Sequence, residues 1–339
     1  MESHLQLLTY LLATALSGAP VQPSPAVLQA VGAVLQADGK RALASLAGTD
    51  PATLSAKDQA TVLCMRQRLT AAEQPAAGPP PDIADRALAI YRSYWVSAMA
   101  RPESRKAEER RLAEALRNLL GAPPADDMDA LEPKLANALS KAGYHSLQGE
   151  TGLLRELTIW SKEDSRLFRV ALPEEEREVK VELLDGFKSY GWSNWMTCGR
   201  ASTGGWTTDE ALFAVVPRYP SLDSEEFQVT FLGHEAQHFA DKAHFKGLEN
   251  WELEYRAKLT ELAKAETTRA KVLGRFVMDQ GDDPASPHSY ANRRVLNDMV
   301  AKLHLKSPAE LTTADGAAVQ AAAVALLRAD TRRRAGTRR

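Results

Sequence analysis

Apolar residues recur every three to four positions through much of the first half of the chain, and that period predicts helices. Val27 to Leu35 and Ala84 to Met99 carry it. Lys106 to Leu120 carries it as well, with Leu112, Leu116, Leu119 and Leu120 on one face and charges on the other. Two Pro-rich breaks punctuate this half, Gln74 to Pro81 and Gly121 to Asp127. After about residue 150 the texture shortens to alternating or continuous apolar runs. Arg166 to Leu172, Glu178 to Leu184, Trp192 to Thr197 and Ala211 to Val216 read as strands, the last two separated by the turn-rich run Gly199 to Gly205. A helix then begins near Glu226 and runs through His234 and His238, and a second spans roughly Leu248 to Phe276. Strands followed by helices predict an α+β fold. Residues 1–150 are expected to form a mainly helical region and 151–330 a domain with a small sheet and two long helices. The Arg-rich end, 331–339, is expected to be a disordered tail.

Composition narrows the function classes. The 339 residues carry a formal net charge of -2 and are 44% hydrophobic, an ordinary globular balance. Such a chain has no general attraction for nucleic acid or anionic membrane. The two cysteines, Cys64 and Cys198, cannot build a four-thiolate metal site; one disulfide and two buried thiols both fit them. Leu5 to Ala19 is apolar and too short to span a bilayer. It reads as a signal-peptide core without a basic start, or as an amphipathic helix with Leu5, Leu8, Leu12 and Leu16 on one face. Cytoplasmic and exported locations both stay open, as does the oligomeric state.

The chemistry concentrates in His234-Glu235-Ala236-Gln237-His238. A helix puts residues i and i+4 on one face, so His234 and His238 can hold one zinc ion together. Zinc lowers the pKa of its water to about 7, and Glu235, beside the histidines, is suited to take that water's proton as general base. With seven histidines in the chain, the five-residue pattern arises by composition on the order of once in a hundred such chains. Context argues against chance. Phe231, His234, His238, Asp241 and Phe245 share one helical face, and Val229, Leu232, Ala236, Phe239, Ala240 and Ala243 the opposite one. Neither is a solvated, charged face.

A third ligand has two candidate sources. His244 has the spacing of a histidine brought back by a sharp turn, but Asp241 stands where that turn wants glycine. If the helix continues, His244 is carried too far along its axis. The following helix offers Glu254, on a face with Asn250, Ala257, Glu261 and Ala265 whose small residues allow close packing; Glu261 is the reserve. Asp241 is suited either to orient a ligand histidine or to pair with Lys242 or Arg256. His288 and Tyr290 are candidate donors to an oxyanion, and Ala211 to Val216 a candidate edge strand for an extended peptide.

His234-Glu235-x-x-His238 followed by Glu254-x-x-Ala257 resembles the gluzincin zinc peptidases, the thermolysin-like clan. Trp206 to Leu262 also resembles uncharacterised bacterial proteins that carry a His-Glu-x-Gln-His-Phe-x-Asp run and a Leu-Glu-Tyr-Arg-Ala-Lys-Leu run. The resemblance implies a zincin-like domain, one zinc held by His234, His238 and Glu254, and peptide or protein substrates. The competing reading is a non-catalytic zinc-binding protein on the same fold. A purely structural zinc is usually closed by four protein ligands, and Glu235 favours turnover.

Overall fold

A computed structural model describes residues 24–70, 81–207 and 211–336. Leu5 to Ala19 and nearly all of Gln74 to Pro81 lie outside the described residues. The first half contains helices α1 (Pro25–Leu35), α2 (Gly39–Leu46), α3 (Ala56–Thr70), α4 (Ile83–Ala100), α5 (Arg105–Leu120) and α6 (Met128–Lys141). Strands β1 (His145–Thr151), β2 (Leu154–Trp160), β3 (Lys162–Ala171), β4 (Glu176–Asp185) and β5 (Ser189–Tyr190) follow. Next come α7 (Gly191–Met196), β6 (Gly205–Thr207), β7 (Leu212–Val215), the one-turn α8 (Glu225–Phe227) and α9 (His234–His244). Helices α10 (Asn250–Lys264), α11 (Arg269–Met278), α12 (Pro287–Leu303) and α13 (Gly316–Gly336) complete an α+β protein. No helix among the described residues is long and apolar enough to cross a membrane.

The chain divides into two units. One gathers residues 1–131, 149–156 and 192–201, so the expected boundary at 150 is replaced by an interleaved path. Its core is helical: Val34, Leu46, Met65, Tyr91, Trp95 and Leu116 are almost fully buried. A Cys64–Cys198 disulfide joins segments 134 residues apart. The second cysteine follows α7, where a strand was expected over Trp192 to Thr197. Trp192, Trp195 and Met196 have i, i+3, i+4 spacing, and burial of Trp192 and Met196 selects the helical reading.

The other unit holds residues 132–148, 157–191 and 202–339, and it carries the motif. Its four-stranded sheet has the order β3-β4-β7-β6. Strand β3 is antiparallel to β4, β7 is parallel to β4, and β6 is antiparallel to β7. Ala211 to Val216 is therefore an interior strand, and β3 and β6 are the edges. The period-two pattern had marked both β3 and β4; burial alternates over 167–171 and 176–181, while the start of β3 is exposed throughout and Val181 to Leu184 of β4 is buried on both faces. Val181, Leu183, Leu212 and Ala214 form a buried layer with Phe227, Phe231, Leu232, Ala236 and Ala240 of the motif helix. Side chains at 234 and 238 project from the opposite side of α9, towards α10. Helix α10 in turn buries Tyr255, Leu259 and Leu262 against α11, α12 and α13. It is thus covered on both faces, and every residue from Glu254 to Leu262 is buried.

Three further expectations change. The motif helix is interrupted: Gln228–Gly233 is a π-helical segment immediately before His234, a distortion frequent at functional sites. The long second helix is two helices, α10 and α11. The break is stabilised from a distance by Glu225, whose carboxylate accepts hydrogen bonds from the amides of Glu266, Thr267 and Thr268. The basic end is helical through Gly336. Arg333 and Arg334 pair with buried Asp330, and Arg334 reaches Glu252 at 3.0 Å, which holds the last turns in place.

Candidate metal centre

The two histidines meet edge to face, with ring planes at 86° and Nε2 atoms 3.1 Å apart. Glu254 closes the triangle: Oε1 lies 3.3 Å from His238 Nε2 and Oε2 3.6 Å from His234 Nε2. Tetrahedral bonds of about 2.0–2.2 Å set ligand atoms about 3.3–3.6 Å apart, so the three donors already stand at the spacing of a metal tripod. Their side chains are only 10–12% exposed. Among the described residues this is the single group of three such side chains whose ligand atoms converge within 4.8 Å. Two imidazoles and one carboxylate form the donor set of catalytic zinc sites, with room for a further ligand.

Glu261 supports the tripod from outside. Its Oε1 accepts from His234 Nδ1 at 2.7 Å, which leaves Nε2 free to ligate, and its Oε2 accepts from Arg275 at 2.9 Å. The reserve candidate of the sequence reading is thus the hydrogen-bond partner of His234. Burial alone would lower the His234 pKa, but hydrogen bonds and charge from Glu254 and Glu261 override it and push the imidazole up to about 10. Burial would raise Glu254, and contacts with His234, His238 and His288 hold it far below the carboxylate range. A metal ion binding here has to displace a proton.

Asp241 does not orient a ligand. Its Oδ1 accepts from Arg256 Nε and from Gln237, each at 2.8 Å, and it makes no hydrogen bond to His238, whose Nδ1 is buried without one. Arg256 is 1% exposed and also pairs with Asp330 at 2.9 Å. His244 lies away from the centre: α9 continues unbroken to it, and its Nε2 contacts Glu175 at 2.9 Å on the surface. Glu249 and Glu252 are used at the start of α10, in a reciprocal cap.

A cavity of about 690 Å³ opens beside the tripod and is lined by His234, Glu235, Tyr219, Arg218, Lys258 and His288, among others. Glu235 Oε2 accepts a hydrogen bond from Thr207 of the edge strand β6. Tyr219 donates to the Gly204 carbonyl at 2.9 Å, and its phenol is raised above its ordinary value by burial and by the nearby Glu235 charge. A Cβ on Gly205 would fall 2.2 Å from the Phe213 carbonyl and 2.5 Å from Phe231, so only glycine lets β6 come this close. His288, near the start of α12, contacts Glu254 Oε2 through Nδ1 at 2.8 Å. Tyr290 does not join it; its ring packs edge-on against Trp251, with centroids 5.1 Å apart. Residues two apart on a helix are roughly 200° apart around it, so positions 288 and 290 point to opposite sides of α12. Tyr219 and Thr207 escaped the sequence reading because nothing local marks them. Comparison of the chain with protein-family models, with curated proteins and with solved structures finds no match.

Proposed function

We propose that this chain is a zinc-dependent hydrolase of the peptidase type, built on a zincin-like domain, with His234, His238 and Glu254 as the zinc ligands. The observation that carries the reading is the convergence of these three side chains beside a cavity that Glu235 also lines. When bound, zinc supplies Lewis acidity, polarising a carbonyl and making a water more acidic. Glu235 acts as the base. Thr207 fixes one carboxylate oxygen, and the other is left to take a proton from water and deliver it to the leaving amine. Tyr219 remains protonated under the influence of burial and Glu235; on turning its hydroxyl from the Gly204 carbonyl it serves, with His288, as a donor towards developing negative charge. The edge strand β6 offers its backbone to an extended peptide, which brings a scissile bond past Glu235.

Metal analysis together with a peptide-library cleavage assay on the full chain tests the proposal. Purified protein should hold close to one zinc, and His234→Ala or His238→Ala should lose most of it. Glu235→Gln should keep the zinc and lose hydrolysis. Wild-type protein without zinc after metal-replete expression refutes the metal site, and a Glu235→Gln variant that cleaves as fast as wild type refutes the base.

A further inference from the structure

Lys258 lies one turn beyond Glu254 on α10, and its side chain is only 8% exposed. Its ammonium sits 3.3 Å from Glu254 Oε2 and 5.1 Å from the centre of the Phe276 ring. It also lines the cavity beside Glu235. Burying an ammonium is unfavourable unless a partner offsets the lost hydration, and an apolar side chain of similar volume would avoid the cost. The charges that face it are those of Glu254 and Glu261. Glu261 is already engaged by His234 and Arg275. The carboxylate that Lys258 contacts directly is therefore the one expected to bind the metal.

We propose that Lys258 acts through Glu254, sharing its carboxylate with the metal, so that Glu254 donates less charge and the centre stays a stronger Lewis acid. The inference rests on the metal reading above. The contact is an ion pair without the alignment of a hydrogen bond, since Glu254 Oε2 has no aligned donor. What Lys258 adds is positive charge beside a ligand rather than a fixed orientation. The two roles predict opposite signs. Loss of a partner that orients a ligand weakens metal affinity by about 10–100-fold. Loss of a cation that competes for the ligand strengthens it.

The experiment measures zinc affinity of the full chain by competition with a chromophoric chelator at low ionic strength. Lys258→Met should bind zinc tighter by about tenfold or more, on the scale of outer-shell effects but with reversed sign. Lys258→Arg, which keeps the charge, should stay close to wild type. Should the Met variant fail to fold, Lys258→Gln gives the same readout. Weakened or unchanged zinc affinity in Lys258→Met overturns the inference, as does equal tightening in Lys258→Arg. Wild-type protein that binds no zinc is the separate failure of the metal reading itself.

Discussion

Glu254 and Glu261 lie two turns apart on the same buried helix, and both touch His234. Replacing each with glutamine should have very different consequences. In Glu261→Gln the amide oxygen can still accept from His234 Nδ1, so the imidazole keeps its orientation. The negative charge that strengthens the ligand is lost, and an amide NH2 now faces Arg275, where Oε2 had accepted at 2.9 Å. Loss of such an outer partner lowers metal affinity by about 10–100-fold, or about 1.4–2.8 kcal/mol at about 1.4 kcal/mol per tenfold. The folded protein should tolerate it, because Arg275 is 54% exposed and regains water. Glu254→Gln instead replaces a charged ligand with a neutral, poor one, and the loss should exceed that range. Chelator competition at fixed neutral pH gives the affinities, and metal analysis gives the stoichiometry. Zinc retained in Glu254→Gln but absent from Glu261→Gln would exchange the two roles. An affinity in Glu261→Gln within about twofold of wild type would remove Glu261 from the centre, since it falls outside the range expected for a ligand's partner.

The remaining predictions reach other parts of the same unit. Arg256→Ala leaves buried Asp241 and Asp330 without their shared cation, and should destabilise the protein by about 3–5 kcal/mol in urea unfolding; a change below about 1 kcal/mol would show the network to be dispensable. Burial would raise the Glu225 pKa, but hydrogen bonds from Thr267 and Thr268 pull it from 4.5 down to about 2. Its contribution is therefore present above about pH 4.5 and lost as pH falls towards 2. The stability gap between wild type and Glu225→Gln should narrow across that window, and a gap independent of pH would contradict the cap. Tyr219→Phe should lower turnover by about 10²-fold or more if the hydroxyl stabilises an oxyanion, while Tyr290→Phe should leave it unchanged; the reverse order would restore Tyr290 to the site. His244→Ala should keep its zinc and change stability by no more than about 0.5 kcal/mol, and zinc loss there would reopen the alternative ligand set.

Local spacing was enough to single out the centre of the candidate site. The i, i+4 histidines must share a face of any helix, and alanines opposite them at 236 and 240 predicted a helix buried on both sides, as found. The face shared by Glu254, Ala257 and Glu261 likewise followed from helical periodicity. Strands β3 and β4 were readable where burial alternates, over 167–171 and 176–181, because the pleat has a period of two. Periodicity says which residues share a face, but not what that face meets. Which of Glu254 and Glu261 reaches the histidine Nε2 atoms depended on how α10 packs against α9. The end of α10 was set by Glu225, some forty residues earlier in the chain. Thr207 and Tyr219 approach Glu235 only because β6 closes the sheet edge and glycines at 204 and 205 permit the contact. Asp241 could have served either a ligand histidine or Arg256 on sequence grounds, and the tertiary structure decided for Arg256, whose fully buried guanidinium needs carboxylate partners.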